Sequence, residues 1–157
     1  MHPTMIRGTF LLVLLLIKGF SSNAQSTEDS VKQTVNNLFI GMKSSNGTMI
    51  SGAFADSAVL QTIRRDKVSG KIFVRNESMK DFAKSISTLA VNAADERITF
   101  SNIKIDADLA SVWTPYQFYL NGKFSYCGVN SFQLVRINGE WKIQYLIDTR
   151  RKEHCED

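Results

Sequence analysis

Between Asp108 and Arg151 the chain runs through three strand-length segments joined by two Asn-Gly pairs, Asn121-Gly122 and Asn138-Gly139. Asn-Gly is the strongest short signal for a two-residue hairpin, because both central residues of a type I′ turn need positive φ. The stretch is therefore read as a long antiparallel meander. It holds nine of the sixteen aromatic residues, so one of its faces must line either a solid core or a cavity.

Which residues look inward depends on register. In the last hairpin Phe132, Leu134, Trp141, Ile143 and Tyr145 alternate with Gln133, Lys142 and Gln144. That pattern marks a sheet with one apolar face turned inward. Continued without interruption, it turns Trp113, Tyr126 and Asn130 inward. A bulge at Gly128 would instead bring in Tyr116, Phe118 and Cys127. Both registers stay open at the level of sequence. Without a bulge, Tyr116, Phe118, Leu120 and Val129 form an apolar patch on the outer face.

Upstream, Val31, Val35, Leu38, Phe39 and Met42 recur at the spacing of one helix face over Ser26 to Lys43, with Ser26 and Asp29 as an N-terminal cap. A short second helix, capped by Thr48, carries Met49, Ile50, Ala53 and Phe54. Strands are expected over Ala58–Ile63 and Val68–Arg75, and a third helix opens at Ser78. One further strand follows, through Ile98, Phe100, Ile103 and Ile105. Pro115 within a strand implies an edge or a bulge there. Helices early and hairpins late make an α+β domain: three helices on the concave face of a cone-shaped, strongly curved antiparallel sheet.

The first 24 residues read as a cleaved secretory signal. Arg7 precedes an unbroken apolar run, Phe10 to Ile17, and Ser22-Asn23-Ala24 provides small residues before Gln25. The run is too short for a stable membrane anchor, which needs about 20 apolar residues. Residues 25–150 then form a single domain and 151–157 a polar tail, in a protein exported to the periplasm or beyond. Export permits a disulfide between Cys127 and Cys155, the only two cysteines. Pairing outward from Asn138-Gly139 sets Cys127 opposite Arg150, so a bridge needs the tail to fold back. The alternative is one buried and one free thiol.

The order of elements, the helix-to-strand transition Phe54-Ala55-Asp56 and the terminal pattern Asn138-Gly139-Glu140-Trp141-Lys142-Ile143 resemble the nuclear transport factor 2-like superfamily, nearest its small secreted lumazine-binding-like members. The resemblance spans about residues 27 to 150. It implies a cone with a deep pocket between helices and sheet, and a homodimer formed through the outer sheet face. Fold alone does not choose among its isomerases, dehydratases, cyclases and binding domains. The isomerases of that superfamily use an Asp late in the first strand. The matching position here is Thr62, which is no base near neutral pH. The first helix holds no Tyr to act as oxyanion donor, and the only His beyond residue 24 is His154, in the tail.

Other chemistries find fewer parts. One His and two distant Cys give no zinc-like spacing, and no nucleophile elbow or phosphate-cradling loop is present. Neither a metal nor a cofactor is expected. No basic stripe interleaves with the aromatics, so nucleic acid is not an expected partner. The candidates for a pocket are Phe54, Trp113, Tyr116, Phe118, Tyr126, Asn130, Tyr145 and Asp148. Asp148 follows an apolar run at the end of the last strand, where the mouth of a cone would lie. A carboxylate there can bind a ligand amine or act as a base, or simply pair with Arg150 two residues on. The leading expectation is a protein that binds a small apolar or aromatic molecule. The alternatives are an enzyme using Asp148 with a Tyr hydroxyl, and a dimerisation or protein-interaction module.

Overall fold

The computed structural model describes residues 26–155; the expected signal segment lies outside them. Helix α1 (Thr27–Lys43) starts where Ser26 accepts a hydrogen bond from the Asp29 amide and donates its hydroxyl to the Asp29 carboxylate. Its inward stripe, Val31, Val35, Leu38, Phe39 and Met42, is buried. Helix α2 (Gly47–Ala53) is capped by Asn46, not Thr48: the Asn46 side-chain oxygen accepts from the Met49 amide at 3.0 Å. Asn is the stronger cap, and Thr48 falls inside the first turn. Strand β1 (Phe54–Arg65) begins as α2 ends, four residues earlier than its apolar pattern suggests, and β2 (Ile72–Glu77) follows a turn held by Asp66. Helix α3 (Met79–Ser87) has Ser78 as its cap.

The segment expected to be one strand is two, β3 (Ala94–Ile98) and β4 (Asn102–Asp106). Both pair antiparallel with β5 (Leu109–Leu120), β3 along its end and β4 along its start. The break between them faces Pro115, whose carbonyl accepts from the Thr99 amide while its own nitrogen has no hydrogen to return. Strands β6 (Lys123–Ile137) and β7 (Glu140–Thr149) complete the meander. All four residues of the Asn121-Gly122 and Asn138-Gly139 turns have positive φ.

The seven strands form one sheet in the order β2-β1-β7-β6-β5-β3, with β4 also on β5. Every pairing is antiparallel except β1 with β7, which is parallel. The architecture is α+β with three helices against a mostly antiparallel sheet. The curl stops short of closure, since β2 and β3 are edges that do not meet.

Two bulges decide which side chains reach the helices. In β5–β6 the pairing steps from Tyr119–Phe124 to Phe118–Tyr126, leaving Ser125 unpaired. In β6–β7 it steps from Leu134–Ile143 to Gln133–Tyr145, leaving Gln144 unpaired. The bulge expected at Gly128 lies three residues earlier. As a result Tyr116, Phe118, Tyr126 and Asn130 share the inner face, a mixture of the two expected registers. Gly128 has a different reason to be glycine: a Cβ there would lie 1.9 Å from the Thr149 carbonyl oxygen and 2.9 Å from the Tyr116 ring.

Cys127 falls on the other face, where Arg151 exchanges two backbone hydrogen bonds with it. A disulfide joins Cys127 to Cys155, so the residues beyond β7 fold back along β6.

Candidate functional site

The helices cover the inner face incompletely. Between α1, α3 and the sheet lies a cavity of about 160 Å³. Its apolar wall comes from Leu38, Phe39 and Met42 of α1 and Phe82 and Ile86 of α3, with Leu60, Phe118 and Leu146 from the sheet. The Phe118 and Tyr126 rings stack at 4.9 Å and form a flat side. The opposite character is concentrated in Glu96 of β3, Asn130 of β6, Asp148 and Arg150 of the β7 end, and Glu77 at the end of β2.

The polar groups are ordered by one another. Asp148 Oδ2 accepts from Arg150 Nε at 2.7 Å and from the Tyr116 hydroxyl at 3.1 Å. That hydroxyl also lies 2.9 Å from the Thr149 carbonyl oxygen. The Arg150 guanidinium sits over the Tyr126 ring, 5.0 Å from its centre. Burial acts against the guanidinium's charge, but Asp148, Tyr126 and Tyr116 together outweigh it and the Arg150 pKa is raised. Burial, then the charges of Glu96 and Asp148, push the Tyr116 phenol up, so it stays a donor. Tyr126 is pushed up to about 12, again chiefly by burial.

Glu96 is the group without a charged partner. Asn130 Nδ2 donates to its Oε1 at 2.9 Å. Among the described residues no Lys or Arg stands within ion-pair distance of it. Burial raises its pKa to about 7; the Asn130 hydrogen bond and the charge of Arg150 work against that shift and Asp148 adds to it. The backbone around Glu96 is firmly placed. Lys43, at the end of α1, holds the neighbouring Asp95 at 3.0 Å, Arg97 holds the same carboxylate, and Ala94 is fully buried.

Of the residues expected in a pocket, Phe118, Tyr126, Asn130 and Asp148 line this cavity. Tyr116 is buried behind them and touches the site through Asp148. Phe54 is core and does not reach the cavity. Trp113 is on the outer face and 49% exposed, because Val112 and Thr114 take the inward places on β5. Tyr145 also points outward: the bulge at Gln144 reverses its parity, and its hydroxyl donates to Gln61 at 2.6 Å. The outer patch expected from Tyr116, Phe118, Leu120 and Val129 in the register without a bulge loses its first two members to the Ser125 bulge. Asp148 takes the ion pair with Arg150 and lines the cavity as well.

Glu96 is not among the residues the sequence pattern picks out, and Arg150 is expected there only as the partner of Asp148, not as part of a pocket. For Glu96 a signal exists: Ala94, Glu96 and Ile98 share one strand parity, and Glu stands where an apolar residue would serve a plain core. Among the described residues no group of three His, Cys, Asp or Glu side chains is placed to hold a metal ion.

The fold has close counterparts. An NTF2-like protein of unknown function from Shewanella baltica superposes with a TM-score of 0.62 at 14% identity, covering 80% of this chain and 94% of that one. An NTF2-like protein from Methylobacillus flagellatus gives 0.59 at 21% identity, over 80% and 94% of the two chains. The chain has the nuclear transport factor 2-like fold. A Nostoc punctiforme domain described as having a cystatin-like fold, also of unknown function, matches this NTF2-like chain at 0.62 and 14% identity, over 81% and 78%. No protein-family model and no curated protein matches the sequence. At these identities the NTF2-like likeness speaks for fold, and function has to come from the site.

Proposed function

We propose that this is an exported binding protein whose cavity takes a molecule about the size of one six-membered ring. The observation that carries this reading is the cavity itself, apolar on the helix side and polar at the end formed by Glu96, Asn130, Asp148 and Arg150. A small apolar enclosure with a few convergent polar groups is the usual make-up of a ligand site. Its volume sets the ligand's size, since a cavity of about 150 Å³ accommodates benzene. The Cys127–Cys155 disulfide is in keeping with export, as such bonds persist in oxidising compartments.

A screen of one-ring fragments by ligand-observed NMR tests it. Fragments should bind the native protein and lose binding in Leu146→Phe, which fills the cavity, while circular dichroism stays unchanged. Fragments that bind both proteins equally would place binding elsewhere.

A second reading, proton-transfer catalysis, is favoured by the Glu96 carboxyl alone. Asp148 is already held by Arg150 and Tyr116, which leaves Glu96, poised at about 7, as the group to exchange a proton. Accelerated α-deuteration of cyclohexanone in D2O, abolished in Glu96→Gln, is the outcome this reading requires. The outer sheet face, with Trp113 and Leu109 exposed, is proposed as the surface of a homodimer. A Trp113→Glu variant should then sediment as a monomer.

A further inference from the structure

We infer that the ligand of this cavity is a small organic cation, a primary amine on a single ring or short apolar body, whose ammonium meets Glu96. This rests on the reading that the cavity binds a ligand, and adds the ligand's charge. Three acidic side chains, Glu77, Glu96 and Asp148, line the cavity against a single base, Arg150. Asp148 and Arg150 neutralise each other at 2.7 Å. Glu77 has Arg75 at its rim, at 3.9 Å, outside the cavity lining. Glu96 is hydrogen-bonded to the neutral amide of Asn130 and feels Arg150 only at a distance, with no ion pair of its own.

A half-buried carboxyl without an ion-pair partner is costly when ionised and is stabilised by a partner that brings one. The cavity supplies room for that partner and the walls supply its body's surroundings: Phe82, Ile86 and Phe118 for the apolar part, with aromatic faces that attract cations. Anionic ligands meet the opposite arrangement. The one guanidinium is occupied by Asp148 and by the Tyr126 ring, and a carboxylate would stand among carboxylates. The hydroxyls of Tyr116 and Tyr126 face the same group and remain neutral donors. The helices α1 and α3 present no charged side chain to it from their lining residues.

An ammonium ligand selects the ionised form of Glu96. Its binding therefore strengthens as pH rises through 7 and the carboxyl loses its proton, until the amine itself deprotonates near 10 (about 10.4 for a lysine-like amine). Between pH 6 and pH 8 the affinity should rise about tenfold, following the ionised fraction of a group titrating near 7.

The test is titration calorimetry of the full-length protein with benzylamine, benzyl alcohol and benzoate, at pH 6 and pH 8. Benzylamine should bind at least tenfold tighter than benzyl alcohol at pH 8, with benzoate weakest. The amine's advantage should shrink at pH 6. Glu96→Gln keeps an oxygen for Asn130 and should abolish the advantage of benzylamine over the alcohol. Should that variant fold poorly, the pH series on the native protein decides the same question. Benzyl alcohol or benzoate binding as well as the amine would overturn the cation and leave the binding pocket standing. Failure of all three to bind would overturn both.

Discussion

Glu96 and Gly128 show how single residues in this protein are fixed by what lies against them. Glu96 carries a pKa near 7 in the fold and about 4.3 in an unfolded chain. The folded state therefore holds its proton more tightly, and stability from this group is greatest below the unfolded value. It declines as pH rises from about 4.5 through 7, by on the order of 2–3 kcal/mol. Glu96→Gln removes the titration, so the variant should be more stable than the native protein at pH 8 and show little advantage at pH 4.5. Urea unfolding at the two pH values measures this, and equal differences at both would contradict it. Gly128 is governed by space. An alanine Cβ would enter the Thr149 carbonyl, and backbone cannot rotate away as a side chain can. Gly128→Ala should cost at least about 2 kcal/mol, at the upper end of overpacking penalties, and should loosen the nearby Tyr116 hydroxyl from Thr149. A denaturant midpoint unchanged from that of the native protein would show that β7 yields more easily than its packing suggests.

Among the elements, the helices carry their own instructions and the strands do not. The stripe on α1 and the caps at Ser26 and Ser78 are local features, and each is where the residues put it. The cap of α2 lies two residues before the expected one because two good caps, Asn46 and Thr48, stand close together. Only the 3.0 Å bond to the Met49 amide separates them. Asn46→Ala should therefore destabilise the protein by about 1 kcal/mol, and Thr48→Ala by much less. A comparison of thermal midpoints would reveal the reverse ranking if Thr48 were the true cap. The Ser125 and Gln144 bulges leave no mark in the sequence. Neither residue has positive φ, so neither had to be glycine, and a bulge of that kind accepts almost any side chain. Yet the Gln144 insertion decides that Asp148 and Leu146 look into the cavity while Tyr145 looks out, and the Ser125 insertion turns Tyr116 and Phe118 inward.

Across the whole molecule, the site exists because distant segments converge. Glu96 and Asn130 are 34 residues apart and Tyr116 and Asp148 are 32 apart; each pair meets only once the sheet has curled beneath α1 and α3. The disulfide acts at the same scale. It closes a loop with a sequence separation of 28, and its removal in Cys127→Ala/Cys155→Ala should cost about 3 kcal/mol through the greater freedom of the unfolded chain. The variant should keep its fold, since Cys127 borders the core and the tail lies outside it. Loss of the folded state at room temperature would mean that the returning tail does more than restrain.

What the sequence determined by itself was everything that follows from neighbours in the chain. Asn-Gly pairs demand hairpins, the period of α1 demands a buried face, and helices preceding a meander demand an α+β domain. Phe118, Tyr126 and Asn130 are legible as pocket residues because alternation, in one register or another, turns each of them inward, and Asp148 is legible by its place after the apolar run at the end of the last strand. Trp113 and Tyr145 lie outside the pocket that alternation assigns them because strand parity propagates: one unpaired residue reverses every side chain beyond it. Tertiary structure alone decided the bulge positions, the pairing of β1 with β7, and the hollow beneath α1 and α3. It also left Glu96 facing that hollow without an ion-pair partner, since the charge around a half-buried carboxyl is set by strands far from it in sequence.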